Sequence, residues 1–112
     1  MTVYVDDVRH PFGRMVMCHM WADTDEEMHV MADAIGVARR WHQTPPKASW
    51  SHYDISLGMK AKAIARGAVL TDRYGPVEQV ARLQLKSTDS WVVKRGMQTL
   101  ERLKAIRTRE SA

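Results

Sequence analysis

Histidine and aspartate side chains that could bind a metal or transfer protons recur in the N-terminal half of this chain. His19 and Asp23 lie four residues apart, His52 and Asp54 lie two residues apart, and Asp6 precedes them. All five histidines of the chain fall within the first 52 residues. Imidazoles and carboxylates bind metals and move protons near neutral pH. The residue types therefore predict one polar site, although they do not identify a reaction.

Two chemistries fit these residues. Neutral imidazoles with carboxylates suit Zn²⁺, Mn²⁺ or Fe²⁺, whereas carboxylates alone suit Mg²⁺. The candidate metal ligands are His19, Asp23, His52 and Asp54, and a bound ion would activate water against a phosphodiester or another ester. Without a metal, His52 or His19 would act as a general acid or base, oriented by Asp54 or Asp23. The candidate catalytic set is these four residues with Asp6, and the expected cofactor is a divalent metal (Zn, Mn or Mg) or none.

Each candidate also has a structural interpretation. Asp23 and Asp54 each stand close to a predicted helix start, where a carboxylate can cap the backbone. His19 lies between Met and Trp neighbours, which fits a hydrogen-bonded histidine of the core. The remaining histidines are predicted to be partly exposed and structural (His29 and His42) or solvated (His10).

Apolar periodicity predicts how these residues are positioned. Strands are predicted over residues 2–6, 14–22, 52–54 and 68–71, and alternation puts the odd-numbered residues 15–21 of the second strand on one face. Helices are predicted from Thr24, where Thr24 and Glu27 fit a capping box, to Gly36, and over 56–66 with Ser56 as the cap. Two more are predicted from Gly75-Pro76 onward and over 90–108. The fold class is therefore α/β or α+β, with a small mixed sheet of three to four short strands and about four helices packed on it.

Several finer expectations follow from the same pattern. Residues 9–13 and the segment around Pro45-Pro46 are predicted loops. Trp41 and Trp50 flank the second loop and are expected either in the core or in a pocket wall. The inward residues expected for the helices include Leu57, Ala61, Ile64 and Ala65 in the second and Val93, Met97, Leu100 and Leu103 in the last.

Charge is distributed unevenly along the chain. Residues 1–55 contain five Lys/Arg and eight Asp/Glu, whereas residues 56–112 contain twelve and five. Lys94, Arg95 and Arg102 are candidate nucleic-acid-binding residues because such cations neutralise phosphates, and Trp91 and Tyr74 could stack on bases. The alternative is a solvated helix face.

The bulk composition limits the class of protein. A chain of 112 residues has room for one domain with its own core. The sequence shows no apolar run of membrane-spanning length and no signal peptide, so we expect a cytoplasmic protein with no membrane partner. The lone Cys18 predicts neither a disulfide nor a cysteine zinc motif.

Six short motifs follow one another along the first 72 residues. They are Thr-Val-Tyr-Val-Asp (2–6), His-Met-x-Ala-Asp (19–23), Glu-x-His (27–29), Ile-Gly-Val-x-x-Arg-x-x-Gln (35–43), His-Tyr-Asp (52–54) and Gly-Ala-Val (67–69). In this order they resemble the domain-of-unknown-function family 4031, which occurs in bacteria, phages and prophages. The resemblance implies a small intracellular, phage-encoded protein with a polar site and no known activity. Residues 73–112 fall outside it and are expected to form a basic helical extension packed on the same domain.

Three classes of function remain open, and whether the protein is an enzyme is open with them. The favoured one is nucleotide or nucleic-acid handling, as a possible metal-dependent hydrolase. The alternative is a non-catalytic binding module that interferes with a host or defence protein. Eight methionines and four tryptophans also leave room for an assembly protein, with a homo-oligomer interface.

Overall fold

The computed structural model describes residues 2–111, and within them the chain forms a five-stranded mixed sheet and four α-helices. The described residues up to Arg73 form one compact unit, which contains all five strands and the first two helices. Those from Tyr74 onward form a second unit, which contains the other two helices. The mixed α+β class is therefore confirmed, with more strands than the three to four expected.

The sheet is built around one long central strand. The strands are β1 (Val3–Val5), β2 (His10–Phe12), β3 (Met15–Ala22), β4 (Tyr53–Ser56) and β5 (Val69–Leu70). Met20 of β3 pairs with Val5 and also with Tyr53, so β1 and β4 flank opposite edges of β3. β2 pairs antiparallel with β3 beyond the end of β1, and β5 pairs parallel with β1. β1 and β2 therefore follow one another along one edge of β3, with residues 6–9 between them.

One face of the sheet forms the hydrophobic core. It contacts α1 (Asp25–Ile35) and α2 (Leu57–Ala65). The buried residues of this core are Val5, Cys18, Met20, Ala22, Met28, Ala32, Ile35, Tyr53, Ile55, Ala63 and Ala68. Each large apolar side chain among them contributes about 1.5–3 kcal/mol by leaving water. Because side chains alternate along a strand, the odd-numbered residues of β3 point to the opposite face, as the sequence predicted.

The first helix begins and ends where the sequence predicted. Thr24 accepts a hydrogen bond from the Glu27 backbone N–H at 3.3 Å, and its hydroxyl donates to the Glu27 carboxylate at 2.9 Å. This reciprocal pair is the predicted capping box. Gly36 ends the helix with a φ of 86°, a left-handed conformation that glycine adopts without a Cβ clash.

The prediction of a loop over residues 9–13 is wrong. His10–Phe12 is β2, and Gly13 makes the turn into β3 with a φ of 61°. Pro11 concealed the strand because proline cannot donate to a ladder, yet β2 is an edge strand, where that missing donor is tolerated.

The packing expected for α2 is also wrong. In α2 the buried residue is Ala63, while Ala61, Ile64 and Ala65 are exposed. This helix is short and apolar on several sides, so its pattern did not single out one face. Beside the Pro45-Pro46 loop, Trp50 is 9% exposed, but Trp41 is 59% exposed in a short 3-10 helix over Arg39–Trp41.

The second unit is a pair of helices, α3 (Gly75–Gln84) and α4 (Ser90–Glu110). A Cβ added at Gly96 of α4 would lie 2.7 Å from the Ala81 carbonyl oxygen of α3, so the two backbones approach closely. Arg107 donates to Glu78 at 2.6 Å and joins the helices a second time. Met97 was expected to be buried but is 57% exposed.

No helix within residues 2–111 combines the length and apolar character that a membrane span requires.

Candidate metal site

The end of β1 positions the first pair of site residues. The Asp6 backbone N–H donates to the His19 carbonyl at 3.2 Å, and the His19 N–H donates to Asp6 Oδ1 at 3.0 Å. The Asp6 side chain thus replaces a backbone acceptor in the ladder. Its second oxygen, Oδ2, lies 2.6 Å from Nδ1 of His19, and the Asp6 side chain is fully buried. This carboxylate fixes both the backbone and the ring of His19.

The Asp6 contact also determines the protonation of His19. A carboxylate accepts hydrogen bonds, so the ring proton of neutral His19 sits on Nδ1 and leaves the lone pair on Nε2. The hydrogen bond to Asp6 raises the pKa of His19, and desolvation of the ring opposes that rise. A carboxylate behind the distal nitrogen is the usual partner of a metal-binding histidine.

Asp54 stands beside His19 because the two residues pair across β3 and β4. Its Oδ2 accepts a hydrogen bond from the Gln43 amide at 2.6 Å. Its Oδ1 faces three imidazole nitrogens, the Nε2 atoms of His52 at 3.5 Å, His19 at 3.7 Å and His10 at 3.9 Å. We call His10, His19, His52 and Asp54 the histidine cluster.

The distances in the histidine cluster fit a metal centre better than a hydrogen-bond network. All three exceed the 2.7–3.2 Å typical of N–H···O bonds. Ligands bonded to one tetrahedral ion at about 2.0–2.1 Å would stand roughly 3.3 Å apart. One ligand atom from each of His10, His19 and Asp54 lies within 4.8 Å of the other two. Small movements would therefore bring these three onto a shared ion.

Two atoms of the histidine cluster are buried without a hydrogen bond. Within residues 2–111, neither Nε2 of His10 nor Oδ1 of Asp54 has a hydrogen-bond partner. A buried polar atom that forms no hydrogen bond costs about 1–3 kcal/mol. An ion coordinated by both atoms would remove that cost, so the donor set fits a bound divalent metal.

His52 completes the histidine cluster from the loop before β4. Its Nδ1 donates to the Trp50 carbonyl at 3.0 Å, which leaves its lone pair on Nε2, facing Asp54. The Trp50 ring stacks on His52 with a centroid distance of 4.2 Å and lies 5.8 Å from the His19 ring. Trp50 therefore lines the site. The contact with His52 lowers the pKa of Asp54, the Gln43 hydrogen bond adds to this effect, and desolvation opposes it.

Four of the five predicted site residues come together, and Asp23 does not. Asp6, His19, His52 and Asp54 lie together on one face of the sheet. Asp23 lies about 13 Å further along the chain, four strand residues from His19. Its carboxylate accepts hydrogen bonds from the Thr2 backbone N–H and the Tyr4 hydroxyl, each at 2.9 Å. The structure therefore places Asp23 apart from the other four predicted site residues.

His10 is the member that the sequence did not reveal, because it was predicted to be a solvated loop residue. It is half-buried and pairs with Met17, the residue two before His19 on the same face of β3. The imidazoles of His10 and His19 stack with a centroid distance of 5.2 Å. The sequence signal for His10 was the alternation of His10 and Phe12 before Gly13. This pattern indicates a β-hairpin, because a proline such as Pro11 is tolerated in an edge strand.

The other two histidines form a separate hydrogen-bond network. His29 Nδ1 lies 2.7 Å from the Tyr53 hydroxyl, and His42 Nε2 lies 2.7 Å from Oγ of Ser51. The Ser51 hydroxyl donates to Asp25 at 2.8 Å, so its proton is directed to a carboxylate and not to a histidine base. Desolvation, then the charge of neighbouring His29, lowers the pKa of His42. This arrangement does not activate Ser51 as a nucleophile.

The fold and the histidine cluster define a small α+β protein with a candidate metal site on one sheet face. The chain belongs to the family described as Protein of unknown function (DUF4031), whose model matches residues 3–84. The match continues beyond the six motifs of the first 72 residues and reaches the end of α3. No curated protein and no solved structure matches the chain.

Proposed function

We propose that this protein is a metal-dependent hydrolase in which His10, His19 and Asp54 bind one divalent ion. The observation that supports the proposal is the convergence of three imidazole Nε2 atoms on Asp54 Oδ1 at 3.5–3.9 Å. Two imidazoles and one carboxylate form a set that leaves coordination positions open, as catalytic metal sites do. The expected substrates are phosphate esters of nucleotides or nucleic acids.

The donor chemistry limits which ion is expected. Imidazole nitrogens favour Zn²⁺ and Mn²⁺ over Mg²⁺, which prefers oxygen ligands and keeps its waters. We therefore propose Zn²⁺ or Mn²⁺. Bound at this position, such an ion would lower the pKa of a coordinated water to about 7 and supply hydroxide for attack on an ester.

The surrounding residues have distinct tasks in this proposal. Asp6 holds the proton on Nδ1 of His19 and so keeps Nε2 available as a ligand. Gln43 fixes Asp54 through Oδ2 and leaves Oδ1 facing the imidazoles. His52 is 8% exposed in its side chain and offers a free Nε2 beside Asp54, where it can accept a proton from the attacking water. Trp50 shields that imidazole from solvent.

Metal binding is tested first, by isothermal titration of the chelator-treated protein with Zn²⁺ and Mn²⁺. We expect one ion per chain, and a loss of affinity of about 100-fold or more in His10→Ala and His19→Ala. His29→Gln is the matched control, because His29 lies in the separate network with Tyr53. Unchanged affinity in His10→Ala, or an equal loss in His29→Gln, would contradict the proposed ligands.

Turnover is tested separately on bis(p-nitrophenyl) phosphate and on p-nitrophenyl-substituted nucleotides, with the ion added or chelated. We expect hydrolysis that depends on the ion and falls about 100-fold or more in His52→Gln, at unchanged metal affinity. Tight metal binding without ion-dependent hydrolysis would refute the hydrolase and leave the metal site standing.

A further inference from the structure

The long helix α4 has two different faces. One face packs within the second unit through Gly96 and Leu103, both of which are buried. The other face carries Arg95, Arg102 and Arg109, which are all exposed. These arginines are spaced seven residues apart, so they lie on nearly the same side of the helix, with a drift of about 20° per step. We call them the arginine row, and it extends over roughly 21 Å of helix.

The arginine row is not neutralised by nearby carboxylates. Within residues 2–111, no guanidinium of the row forms an ion pair or a hydrogen bond. By contrast, Arg107 and Arg82 both contact Glu78, at 2.6 Å and 3.6 Å. The second unit contains eight Lys/Arg and four Asp/Glu, so its acidic residues are outnumbered. The unpaired guanidinium groups on one exposed face indicate a surface for an anionic partner.

An exposed aromatic ring stands at the start of the same face. Trp91 is 71% exposed, and the Lys94 ammonium lies 5.6 Å from its ring centroid. Trp91 precedes Arg95 by one helical turn, so the ring and the arginine row are continuous on the helix surface. A flat aromatic face beside a line of cations is the combination that binds bases and phosphates of an unpaired strand.

Other anionic partners fit this surface less well. A membrane-binding helix inserts a continuous apolar face, but the exposed face that carries the arginine row is cationic, and the buried residues Gly96 and Leu103 lie on the other face. An acidic protein would engage the cations but gives no role to a Trp91 ring left in water. Duplex nucleic acid keeps its bases stacked on one another, so the ring would find no base to stack on. A single strand uses both features of the surface.

We infer that the arginine row and Trp91 form a binding surface for single-stranded nucleic acid, in which the guanidiniums contact phosphates and the indole stacks on a base. This inference does not depend on metal-dependent hydrolysis and stands or falls independently of it.

The test is fluorescence anisotropy of the full chain with labelled 20-nucleotide dT and rU strands at several salt concentrations. We expect Arg95→Gln/Arg102→Gln/Arg109→Gln to weaken binding at least tenfold. We also expect it to make the slope of log affinity against log salt shallower by about 0.7 for each phosphate that an arginine no longer neutralises. The matched control is Arg14→Gln/Arg40→Gln/Arg66→Gln, which removes equal charge from three exposed arginines of the first unit. Equal weakening in both triple variants would refute the surface.

The stacking contact is tested with a second pair of variants. We expect Trp91→Ala to weaken strand binding about fivefold or more. Trp41→Ala, which removes a 59% exposed tryptophan elsewhere, should leave it unchanged. Circular dichroism confirms that each variant keeps its helices. An unchanged affinity in Trp91→Ala, tighter binding of duplex than of single strand, or equal displacement by polyglutamate would overturn the inference.

Discussion

Asp6 is joined to His19 at two atoms, and the two contacts have different consequences. Oδ1 accepts the His19 backbone N–H at 3.0 Å, which continues the ladder where β1 ends. Oδ2 lies 2.6 Å from the ring Nδ1, which fixes the side chain. One buried carboxylate thus sets both the strand register and the orientation of a candidate ligand. Any change at Asp6 is therefore expected to affect folding and metal binding by separable routes.

Asp6→Asn is predicted to weaken metal binding while the chain stays folded. The amide oxygen can still accept the His19 backbone N–H, but the amide nitrogen would donate to Nδ1 and move the ring proton to Nε2. Nε2 would then lack a lone pair, so affinity for Zn²⁺ should fall about 10–100-fold. The free energy of unfolding should fall by about 1.5–3 kcal/mol, because a charged acceptor is removed.

Long-range ¹H–¹⁵N NMR spectra of the histidine rings would report this tautomer directly. We expect the metal-free wild type to carry the neutral His19 proton on Nδ1, and Asp6→Asn to carry it on Nε2. A variant that keeps the Nδ1 tautomer and full metal affinity would show that Asp6 has a structural role alone. Gln43→Ala, which leaves the Asp6 contact intact, serves as the control for the tautomer.

The stability of the metal-free protein is predicted to depend on pH through His19. The folded-state pKa of His19 is raised above 6.5 by Asp6, so folding favours the protonated ring. This contribution is fully present below pH 6.5 and disappears as the pH rises through the folded-state value. Urea unfolding of the wild type and of His19→Gln, in chelator and between pH 5.5 and 9, gives the free energy of unfolding of each protein. We expect the gap between these two free energies to narrow as the pH rises. A gap that widens would contradict the Asp6–His19 pairing.

Asp54 and Asp23 are predicted to respond differently to the same substitution. Asp54→Asn should abolish measurable metal binding, because it removes the negative charge on which three imidazoles converge. Asp23→Asn should leave metal affinity within about twofold, since its carboxylate contacts Thr2 and Tyr4 instead. It should cost about 1 kcal/mol of stability through those hydrogen bonds. Calorimetric titration and thermal unfolding of the two variants measure both effects, and equal metal loss in Asp23→Asn would refute this assignment.

Local signals in the sequence were sufficient to predict most of the fold. The Thr24–Glu27 capping box and Gly36 predicted the limits of α1 because each satisfies backbone groups within a few residues. The alternation along β3 predicted which of its side chains share a face, and Ser56 was predicted to cap α2. These signals depend on short-range chemistry, so they are present in the sequence itself.

The candidate site could be predicted in part, because its composition is local but its assembly is not. His19 and Asp54 come together through the pairing of β3 with β4, which no spacing in the sequence specifies. His10 joins them only because β2 follows β1 along the same edge of β3. Asp23 lies apart from His19 because residues that are four positions apart on an extended strand are far from each other in space.

Substitution by alanine is predicted to have opposite effects on stability at two helical glycines, Gly96 of α4 and Gly58 of α2. A Cβ at Gly96 would stand 2.7 Å from the Ala81 carbonyl oxygen and 3.0 Å from Cβ of Gln84, both on the facing helix. Because backbone cannot yield as a flexible side chain can, Gly96→Ala should destabilise the protein by about 1–3 kcal/mol. Gly58 of α2 has only the Ser56 hydroxyl nearby, at 3.9 Å.

Gly58→Ala is therefore the matched control, and it should stabilise the protein by up to about 1 kcal/mol, because alanine loses less backbone entropy in a helix. Urea unfolding of the two variants followed by circular dichroism gives both free energies. The two units need not unfold together, so Gly96→Ala can unfold in two steps. Such a result agrees with the prediction if the step in which α4 unfolds occurs at a lower urea concentration than in the wild type. Equal stabilisation by both substitutions would mean that α3 and α4 do not approach as closely as the 2.7 Å distance at Gly96 requires.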